Sequence, residues 1–326
     1  MISLASNENP MGMPAAARQA AADALAQGGN YPDPNGTQLK QALSVRLDVP
    51  ADWLVLGSGS CEILTLAAQA CAGEGDEIIF AQYGFVVYAQ AAALVHARAV
   101  VVPARDFGHD LDAMAAAITP RTRLVFIANP NNPTGTFLSG EQLLAFLQQV
   151  PAAVTVLLDE AYTEYLAPTQ RYNSVGWLRR FPNLLVARTF SKAYGLAGLR
   201  VGFGMAQPAL AGRLNALRPR FNVTSPALAA AVAALDDTGF LRRSYEINTA
   251  GREQLASGLA ALGLPCLPSA GNFLMVRPHD AVAAHAKLLD NGIAVSLLDM
   301  YGLGEWLRIT IGLPEQNSAV LAVLAG

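Results

Sequence analysis

The stretch that decides the fold is Arg188-Thr189-Phe190-Ser191-Lys192-Ala193-Tyr194-Gly195-Leu196-Ala197-Gly198-Leu199-Arg200. It lies between two apolar runs that are typical of buried strands. Lys192 is one of three lysines in the chain, and only it stands on a glycine-rich connection after such a run. A lysine in apolar surroundings loses proton affinity and becomes a nucleophilic amine, as a Schiff base with an aldehyde requires. An ordinary solvated or ion-paired lysine explains this stretch equally well, so the rest of the chain has to decide.

Composition narrows the class of protein. The 326 residues are 52% hydrophobic and 14% charged, which is typical of a globular chain of about two domains. The net charge of −3 and the lack of a basic cluster argue against a nucleic-acid partner. Three cysteines and four histidines show no metal-ligand spacing, so we expect no metal and a reducing, cytoplasmic location. We see neither a signal peptide nor an apolar run that could span a membrane.

Apolar runs alternate with helical segments over the first two thirds of the chain. This alternation predicts a mainly parallel sheet with helices on both faces. The seven predicted strands are Trp53–Leu56, Glu77–Phe80, Ala99–Val102, Leu124–Ala128, Val154–Leu158, Leu184–Ala187 and Val201–Met205.

The pattern changes after Ser225-Pro226. Two helices are followed by short strands, which predicts a smaller α+β unit. Its predicted strands are Phe273–Val276, Ala294–Leu297 and Trp306–Ile311. We therefore predict an α/β protein with a large domain at residues 30–239 and a small domain formed by residues 1–29 and 240–326.

The first polar motif, Gly57-Ser58-Gly59-Ser60-Cys61-Glu62, joins a strand to a helix. Its glycines allow a tight turn, and the backbone N–H groups of Ser60 and Cys61 then form an anion site at the helix start. The motif resembles half of a dinucleotide fingerprint but lacks the third glycine. A nicotinamide-dependent oxidoreductase is therefore an alternative function, although it rests on this loop alone. A plain strand-to-helix turn without a ligand explains the loop as well.

Two further motifs follow the next strands, at the sheet edge where α/β proteins bind ligands. Asn129-Pro130-Asn131-Asn132-Pro133-Thr134-Gly135 is a rigid turn from which Asn132 can donate a hydrogen bond to a phenolate oxygen. Asp159 ends an apolar run and precedes Tyr162. A buried carboxylate needs a positive partner, and a protonated pyridine nitrogen is one. The plainer interpretation of the Asn129–Gly135 turn is a loop without a ligand, and that of Asp159 is a helix cap.

Two arginines complete the set. Arg200 can return to the pocket of Lys192 and hold a phosphate, and Arg308 interrupts an apolar strand, where a substrate anion or a structural salt bridge would pair it. Together the strand ends supply an anion loop, an amide, a carboxylate and a lysine. This combination is what a pyridoxal 5'-phosphate site needs.

On these motifs the chain resembles the class I/II pyridoxal-phosphate aminotransferases of the aspartate aminotransferase fold (fold type I). The resemblance runs nearly end to end and is greatest to the histidinol-phosphate aminotransferase subfamily, which acts in amino-acid and histidine biosynthesis. It also rests on Ser6-Asn7-Glu8-Asn9-Pro10, Tyr31-Pro32-Asp33-Pro34, Asp159-Glu160-Ala161-Tyr162 and Leu307-Arg308-Ile309-Thr310.

The resemblance implies a role for each of these positions. Lys192 forms the aldimine with the cofactor and moves the proton. Asp159 holds the pyridinium nitrogen, and Asn132 and Tyr162 bind the ring oxygen. The phosphate is held by Ser60, Cys61 (through its backbone), Ser191 and Arg200. Tyr83 stacks on the ring, Tyr31 reaches the partner subunit's phosphate in a homodimer, and Arg308 binds the substrate α-carboxylate.

Two departures bear on the substrate. The family usually has aspartate at the position of Cys61, and often an arginine that binds the substrate phosphate at the position of Ser296. We therefore predict a preference shifted from histidinol phosphate toward unphosphorylated aromatic or other apolar amino acids, with 2-oxoglutarate as acceptor. A decarboxylase of the threonine-phosphate type is the near alternative, since it uses the same cofactor groups. A non-catalytic binding protein leaves the filled cofactor positions unexplained.

Overall fold

The computed structural model describes all 326 residues. Its strands in chain order are β1 (Ile2–Ser3), β2 (Leu54–Gly57), β3 (Glu77–Ala81), β4 (Arg98–Val102), β5 (Thr122–Ala128), β6 (Thr155–Asp159), β7 (Leu184–Thr189), β8 (Gly202–Ala206), β9 (Phe273–Val276), β10 (Ile293–Ala294), β11 (Ser296–Leu297) and β12 (Leu307–Thr310).

The helices alternate with these strands, and short 3₁₀ turns occur in several loops. In chain order the helices are α1 (Ala15–Leu25), α2 (Thr37–Leu47), α3 (Ser60–Cys71), α4 (Val87–Leu94), α5 (Leu111–Ala116), α6 (Gly140–Gln149), α7 (Ser174–Trp177), α8 (Pro208–Leu217), α9 (Ser225–Asp236), α10 (Thr238–Ala261), α11 (Ala281–Asp290) and α12 (Pro314–Ala325).

Seven strands form one sheet in the order β2-β8-β7-β6-β5-β3-β4. All neighbours in it are parallel except β8, which runs antiparallel to both β2 and β7. Successive side chains of β5 enter two different apolar clusters: Val125 and Ile127 enter one, and Leu124 and Phe126 the other. The sheet is therefore covered on both faces, and the predicted mainly parallel, seven-stranded α/β fold is confirmed.

The smaller layer differs from its prediction in one respect. The predicted strand Ala294–Leu297 is two strands, because β10 pairs in parallel with β1 whereas β11 pairs antiparallel with β12. The buried Val295 separates them. Sequence patterns did not predict β1, since a two-residue strand has too few positions to show an alternation.

The N-terminal residues touch both layers. Leu4 packs in the apolar cluster of the smaller layer, beside residues of β9, β12 and α10. Helix α1 instead packs on α9 and buries Ala17 and Ala21 in a cluster of the large sheet. No helix is both long and apolar enough to cross a membrane.

The parallel strands β5, β6 and β7 bring three loops to one edge of the sheet. Ala128 pairs with Asp159, and Asp159 pairs with Ala187. The backbone of Asn129 then donates to Asp159 O, and that of Glu160 donates to Ala187 O, each at 2.9 Å. The polar motifs that follow these strands must therefore lie side by side.

Candidate active site

A cavity of about 550 Å³ lies at this edge, between the large sheet, the smaller layer and the N-terminal residues 5–8. It brings together nine of the eleven residues that the sequence and the resemblance single out. These are Ser60, Cys61, Asn132, Asp159, Tyr162, Ser191, Lys192, Arg200 and Arg308. Tyr83 and Tyr31 do not line it.

Lys192 follows β7 and extends toward the N-terminal segment. Its Nζ donates a hydrogen bond to the backbone carbonyl of Ser6 at 2.8 Å and lies 5.9 Å from the centre of the Tyr162 ring. Burial lowers the pKa of Lys192 to about 8, and the nearby Arg308 cation acts in the same direction. The side chain can therefore supply a neutral amine near neutral pH.

Asp159 is buried at the carboxyl end of β6. Its Oδ2 accepts a hydrogen bond from the Tyr88 hydroxyl at 3.0 Å, whereas its buried Oδ1 has no partner in the protein. Burial raises the pKa of Asp159 to about 6, although the hydrogen bond from Tyr88 opposes this rise. An orphaned buried carboxylate oxygen is costly and calls for a ligand donor.

The Tyr162 hydroxyl lies close to the same space. It accepts a hydrogen bond from Asn7 Nδ2 at 3.0 Å, and burial raises the pKa of Tyr162 to about 12. Tyr162 therefore remains a phenol with its own proton left to donate. Asn132 accepts from Arg308 through Oδ1, which leaves its Nδ2 without a protein partner. Two donors thus remain for a ligand oxygen.

An anion cradle closes one end of the cavity. Helix α3 begins there without a side-chain cap, so its first N–H groups have no side-chain acceptor. Gly59 has a φ of 76°, and a Cβ at this position would lie 2.5 Å from the Arg200 guanidinium. Arg200 Nη1 donates to Ser191 Oγ at 3.2 Å. Helix N–H groups, a hydroxyl and a guanidinium therefore converge here, and glycine at position 59 lets the guanidinium approach the helix start.

Arg308 enters the cavity from β12 in the smaller layer. Its Nη2 donates to Ala5 O at 2.7 Å and approaches Ser296 Oγ at 3.3 Å. The buried Nε has no partner. Ser296 itself donates to Ala5 O at 2.7 Å and brings no charge. Arg308 is thus fixed by the N-terminal segment and retains a donor for a carboxylate or phosphate.

The two remaining tyrosines lie elsewhere. Tyr83 is not among the residues that line the cavity, and its ring stacks on Phe107 at 5.9 Å in the apolar cluster of Leu298 and Trp306. Its stacking on the cofactor ring stays a prediction. The cavity wall carries Phe85 instead. Tyr31 is 82% exposed and stacks on Phe221 at 4.6 Å, outside the cavity of its own chain.

Sequence reasoning missed several contacts of the site. It assigned no role to Tyr88, which binds Asp159 across 71 positions, or to Asn7, which binds Tyr162 across 155. The only signal was the position of Asn7 in a polar N-terminal motif, and Tyr88 had none, since it lies in an apolar helical segment. The structure shows no group of three or more His, Cys, Asp or Glu side chains that could hold a metal ion.

These residues fit pyridoxal phosphate. The orphaned Asp159 Oδ1 suits a protonated ring nitrogen, the glycine cradle at α3 suits a phosphate, and the lowered pKa of Lys192 suits attack on an aldehyde. A nicotinamide cofactor would leave Asp159 and Lys192 unexplained.

Comparisons with known proteins agree with the geometry. The family model for aminotransferases of class I and II matches residues 1–323. Histidinol-phosphate aminotransferase 2 of Ralstonia nicotianae is 58% identical over 99% of this chain and 88% of its own. The histidinol-phosphate aminotransferase of Sinorhizobium meliloti, solved in complex with pyridoxal-5'-phosphate, is 31% identical with a TM-score of 0.93, covering 99% of this chain and 89% of that one. An aspartate aminotransferase mutant of Thermus thermophilus, 25% identical, has a TM-score of 0.87 over 99% of this chain and 95% of that one.

The fold and the cavity define a pyridoxal-phosphate-dependent transaminase that acts on small amino- and oxo-acid substrates. More particularly, the chain belongs to the class I and II aminotransferases, and its curated relatives are histidinol-phosphate aminotransferases. The comparisons favour transamination over the decarboxylase alternative.

Proposed function

We propose that this aminotransferase takes its amino group from histidinol phosphate or an aromatic amino acid and transfers it to 2-oxoglutarate. One observation carries the proposal: a single cavity holds Lys192, the orphaned Asp159 oxygen and the Arg308 guanidinium. An amino donor that carries an anionic group can use the lysine and the guanidinium together. The names of relatives that are 58% identical support histidinol phosphate as the donor.

The geometry of the cavity supports the following cofactor contacts. Lys192 would hold the cofactor aldehyde, Asp159 the ring nitrogen, and Asn132 and Tyr162 the ring oxygen. Ser60, the Cys61 backbone, Ser191 and Arg200 would hold the phosphate. Bound in this way, pyridoxal phosphate supplies an electron sink for the carbanion formed at the substrate α-carbon.

The chain itself moves the proton. Lys192 Nζ, whose pKa burial lowers to about 8, would be suited to accept the proton from the substrate α-carbon near neutral pH. Its contact with Ser6 O keeps it beside the cavity. General base catalysis of this kind contributes on the order of 10²–10⁴-fold.

The substrate wall favours an aromatic donor as the second candidate. Lys192, Arg200 and Arg308 are the only cationic side chains that line the cavity, and two of them serve the cofactor in our assignment. Ser296, Leu297 and Met300 form the wall next to Arg308. A distal phosphate would therefore find only one guanidinium, whereas an aromatic side chain would find apolar contact.

We also propose that the enzyme is a homodimer in which Tyr31 reaches the partner subunit's cofactor phosphate. The exposed stack of Tyr31 on Phe221, with Arg220 5.2 Å from the centre of the Phe221 ring, supports a protein partner at this face. Size-exclusion chromatography with light scattering measures the assembly. A monomer that transaminates at full rate would contradict the proposal.

The domain division and the location are proposals as well. A large domain of residues 30–239 and a small domain of residues 1–29 and 240–326 are supported by the separate apolar cluster of the smaller layer, which includes Leu4. Helix α1, packed on α9, would then join the two. Three free cysteines suit the reducing cytoplasm.

A half-reaction screen tests the proposed function. The purified protein is reconstituted with pyridoxal phosphate, and loss of its visible absorbance is followed with histidinol phosphate, phenylalanine, tyrosine and phosphothreonine. We expect turnover with histidinol phosphate or the aromatic amino acids, and regeneration by 2-oxoglutarate. Release of carbon dioxide from phosphothreonine without regeneration by a 2-oxo acid would instead indicate the decarboxylase.

A further inference from the structure

Tyr88 is a fully buried tyrosine whose hydroxyl faces the reacting centre. It lies on α4 with an exposed fraction of 0%, and its hydroxyl donates to Asp159 Oδ2 at 3.0 Å. No other protein side chain donates a hydrogen bond to either Asp159 oxygen. The contact joins a helix on one face of the sheet to the end of a central strand.

Packing fixes the Tyr88 ring in this position. The ring stacks on Phe126 of β5 at 4.5 Å with an angle of 7° between the planes, and it meets Phe85 edge-on at 6.1 Å. A Cβ on Gly84 would approach the Tyr88 ring to 3.1 Å, so the glycine is needed for this close contact. The hydroxyl is therefore held at Asp159 by its surroundings, not by the hydrogen bond alone.

We propose that Tyr88 is a positioning residue that keeps Asp159 ionised and occupies one of its oxygens, so that the other serves the cofactor's ring nitrogen. The proposal rests on the proposed function, because it requires a ring nitrogen at Asp159. Oδ2 is engaged by Tyr88 and Oδ1 is the orphan. The carboxylate consequently cannot turn away from the cavity without breaking a buried hydrogen bond.

Charge and burial around the pair support this role. Burial, together with the Asp159 charge, raises the pKa of Tyr88 well above its ordinary value, so its hydroxyl remains a donor at neutral pH. Donation to a carboxylate favours the ionised form, and this opposes the burial that raises the pKa of Asp159 to about 6. The other titratable groups that face Asp159 are Glu160, which raises its pKa, Lys192, which lowers it, and the Cys61 and Tyr162 side chains.

The cofactor affinity should therefore depend on pH through Asp159. Protonation of Asp159 removes the acceptor for the ring nitrogen, so affinity falls as pH drops through the pKa of that carboxyl. In Tyr88→Phe the carboxylate loses a charge-assisted hydrogen bond, and its proton affinity rises about ten- to a hundredfold. The midpoint of the affinity loss then moves up by about one to two pH units.

The experiment measures the dissociation constant of pyridoxal phosphate as a function of pH, by equilibrium dialysis and visible absorbance. The wild type is compared with Tyr88→Phe, which keeps every ring contact, and with the control Tyr172→Phe. Tyr172 is a half-buried tyrosine whose hydroxyl contacts Asn129 and not Asp159. We expect an upward shift for Tyr88→Phe, no shift for Tyr172→Phe, and no effect of Tyr88→Phe in an Asp159→Asn background.

The outcomes separate this inference from the proposed function. A midpoint in Tyr88→Phe equal to that of the wild type overturns the role of Tyr88 while the cofactor assignment stands. A shift that persists in the Asp159→Asn background overturns it too, since Tyr88 would then act elsewhere. A wild type that gains no visible absorbance with pyridoxal phosphate overturns the proposed function and this inference together. If Tyr88→Phe does not fold, 3-fluorotyrosine can replace Tyr88 instead, and the titration of the Asp159 carboxyl is then measured directly. An Asp159 pKa equal to that of the wild type would overturn the positioning role of Tyr88.

Discussion

Lys192 Nζ and the backbone carbonyl oxygen of Ser6 lie 2.8 Å apart, although 186 positions separate the two residues. The adjacent carbonyl, that of Ala5, accepts from Arg308. Two consecutive backbone carbonyls of the N-terminal segment therefore hold the two cations between which the substrate has to fit. Because a carbonyl neutralises neither cation, both side chains remain available to a ligand.

Replacing Lys192 by alanine should abolish transamination. Without its amine the chain can neither bind the cofactor aldehyde covalently nor move the α-proton. Borohydride reduction followed by mass spectrometry should find cofactor attached to the wild type and none attached to Lys192→Ala. Non-covalent cofactor binding should survive at the phosphate cradle. Undiminished turnover in Lys192→Ala would refute the assignment, and Lys287→Ala, on the distant α11, is the control that should leave activity intact.

Asp159→Ala should reduce the rate by about a hundredfold or more, because an oriented charge at the site of developing charge is lost. The variant should remain folded, since burial raises the pKa of Asp159 to about 6 and its charged form opposes folding at neutral pH. Steady-state kinetics and thermal unfolding measure the two effects. Asp110→Ala removes an aspartate that caps α5 and pairs with Arg105 outside the cavity, and it should leave the rate unchanged. A rate of Asp159→Ala within a fewfold of the wild type would show that Asp159, too, has only a structural role as a cap.

The apoenzyme should capture pyridoxal phosphate faster as pH rises toward about 8, the pKa of Lys192, and level off above it. Below that pH the neutral amine falls about tenfold per unit, and only the neutral amine attacks the aldehyde. Stopped-flow absorbance gives the midpoint. Arg308 lowers the pKa of Lys192, so Arg308→Met should move the midpoint upward. Arg277→Met, which breaks a surface pair with Glu305, should not. A midpoint near the ordinary lysine value in the wild type would show that burial does not tune Lys192.

Ser296→Arg should strengthen binding of histidinol phosphate about ten- to a hundredfold, the usual effect of one hydrogen bond to a charged group. Phenylalanine, which has no phosphate, should gain nothing. Ser296→Met, a long side chain without charge, is the matched control. The affinities of the wild type and both variants for histidinol phosphate and for phenylalanine, measured in the half-reaction, test these two expectations. If the wild type already prefers histidinol phosphate over phenylalanine by about a hundredfold, the inference drawn from Ser296 is wrong.

Arg188→Met should lower the free energy of unfolding by about 3–5 kcal/mol. Arg188 pairs with the buried Glu160 at 2.8 Å, and Glu160 Oε1 already lacks a partner, so removing the arginine leaves a buried charge uncompensated. Arg179→Met breaks an exposed pair with Asp48 and should cost at most about 1 kcal/mol. Chemical denaturation of both variants compares the two costs. Equal costs would show that the Glu160 charge is compensated in some other way.

The sequence predicted the large sheet because each of its strands is a short apolar run between helical segments. It also predicted which loops meet, since the ends of β5, β6 and β7 must lie together in a parallel sheet. Asn132, Asp159 and Lys192 follow from that rule alone. Nine of the eleven candidate residues do converge on one cavity, and of these Arg308 comes from β12 of the smaller layer, which the rule does not cover.

What the sequence by itself determined is thus whatever depends on strand order and on the chemistry of single residues. Only the tertiary structure decided the contacts between distant elements: Tyr88 with Asp159, Asn7 with Tyr162, Ser6 with Lys192, and the packing that takes Tyr83 away from the cavity. Local pattern encodes which face of an element is apolar. It does not encode which polar atom of one element meets which atom of another, because that depends on how the layers pack.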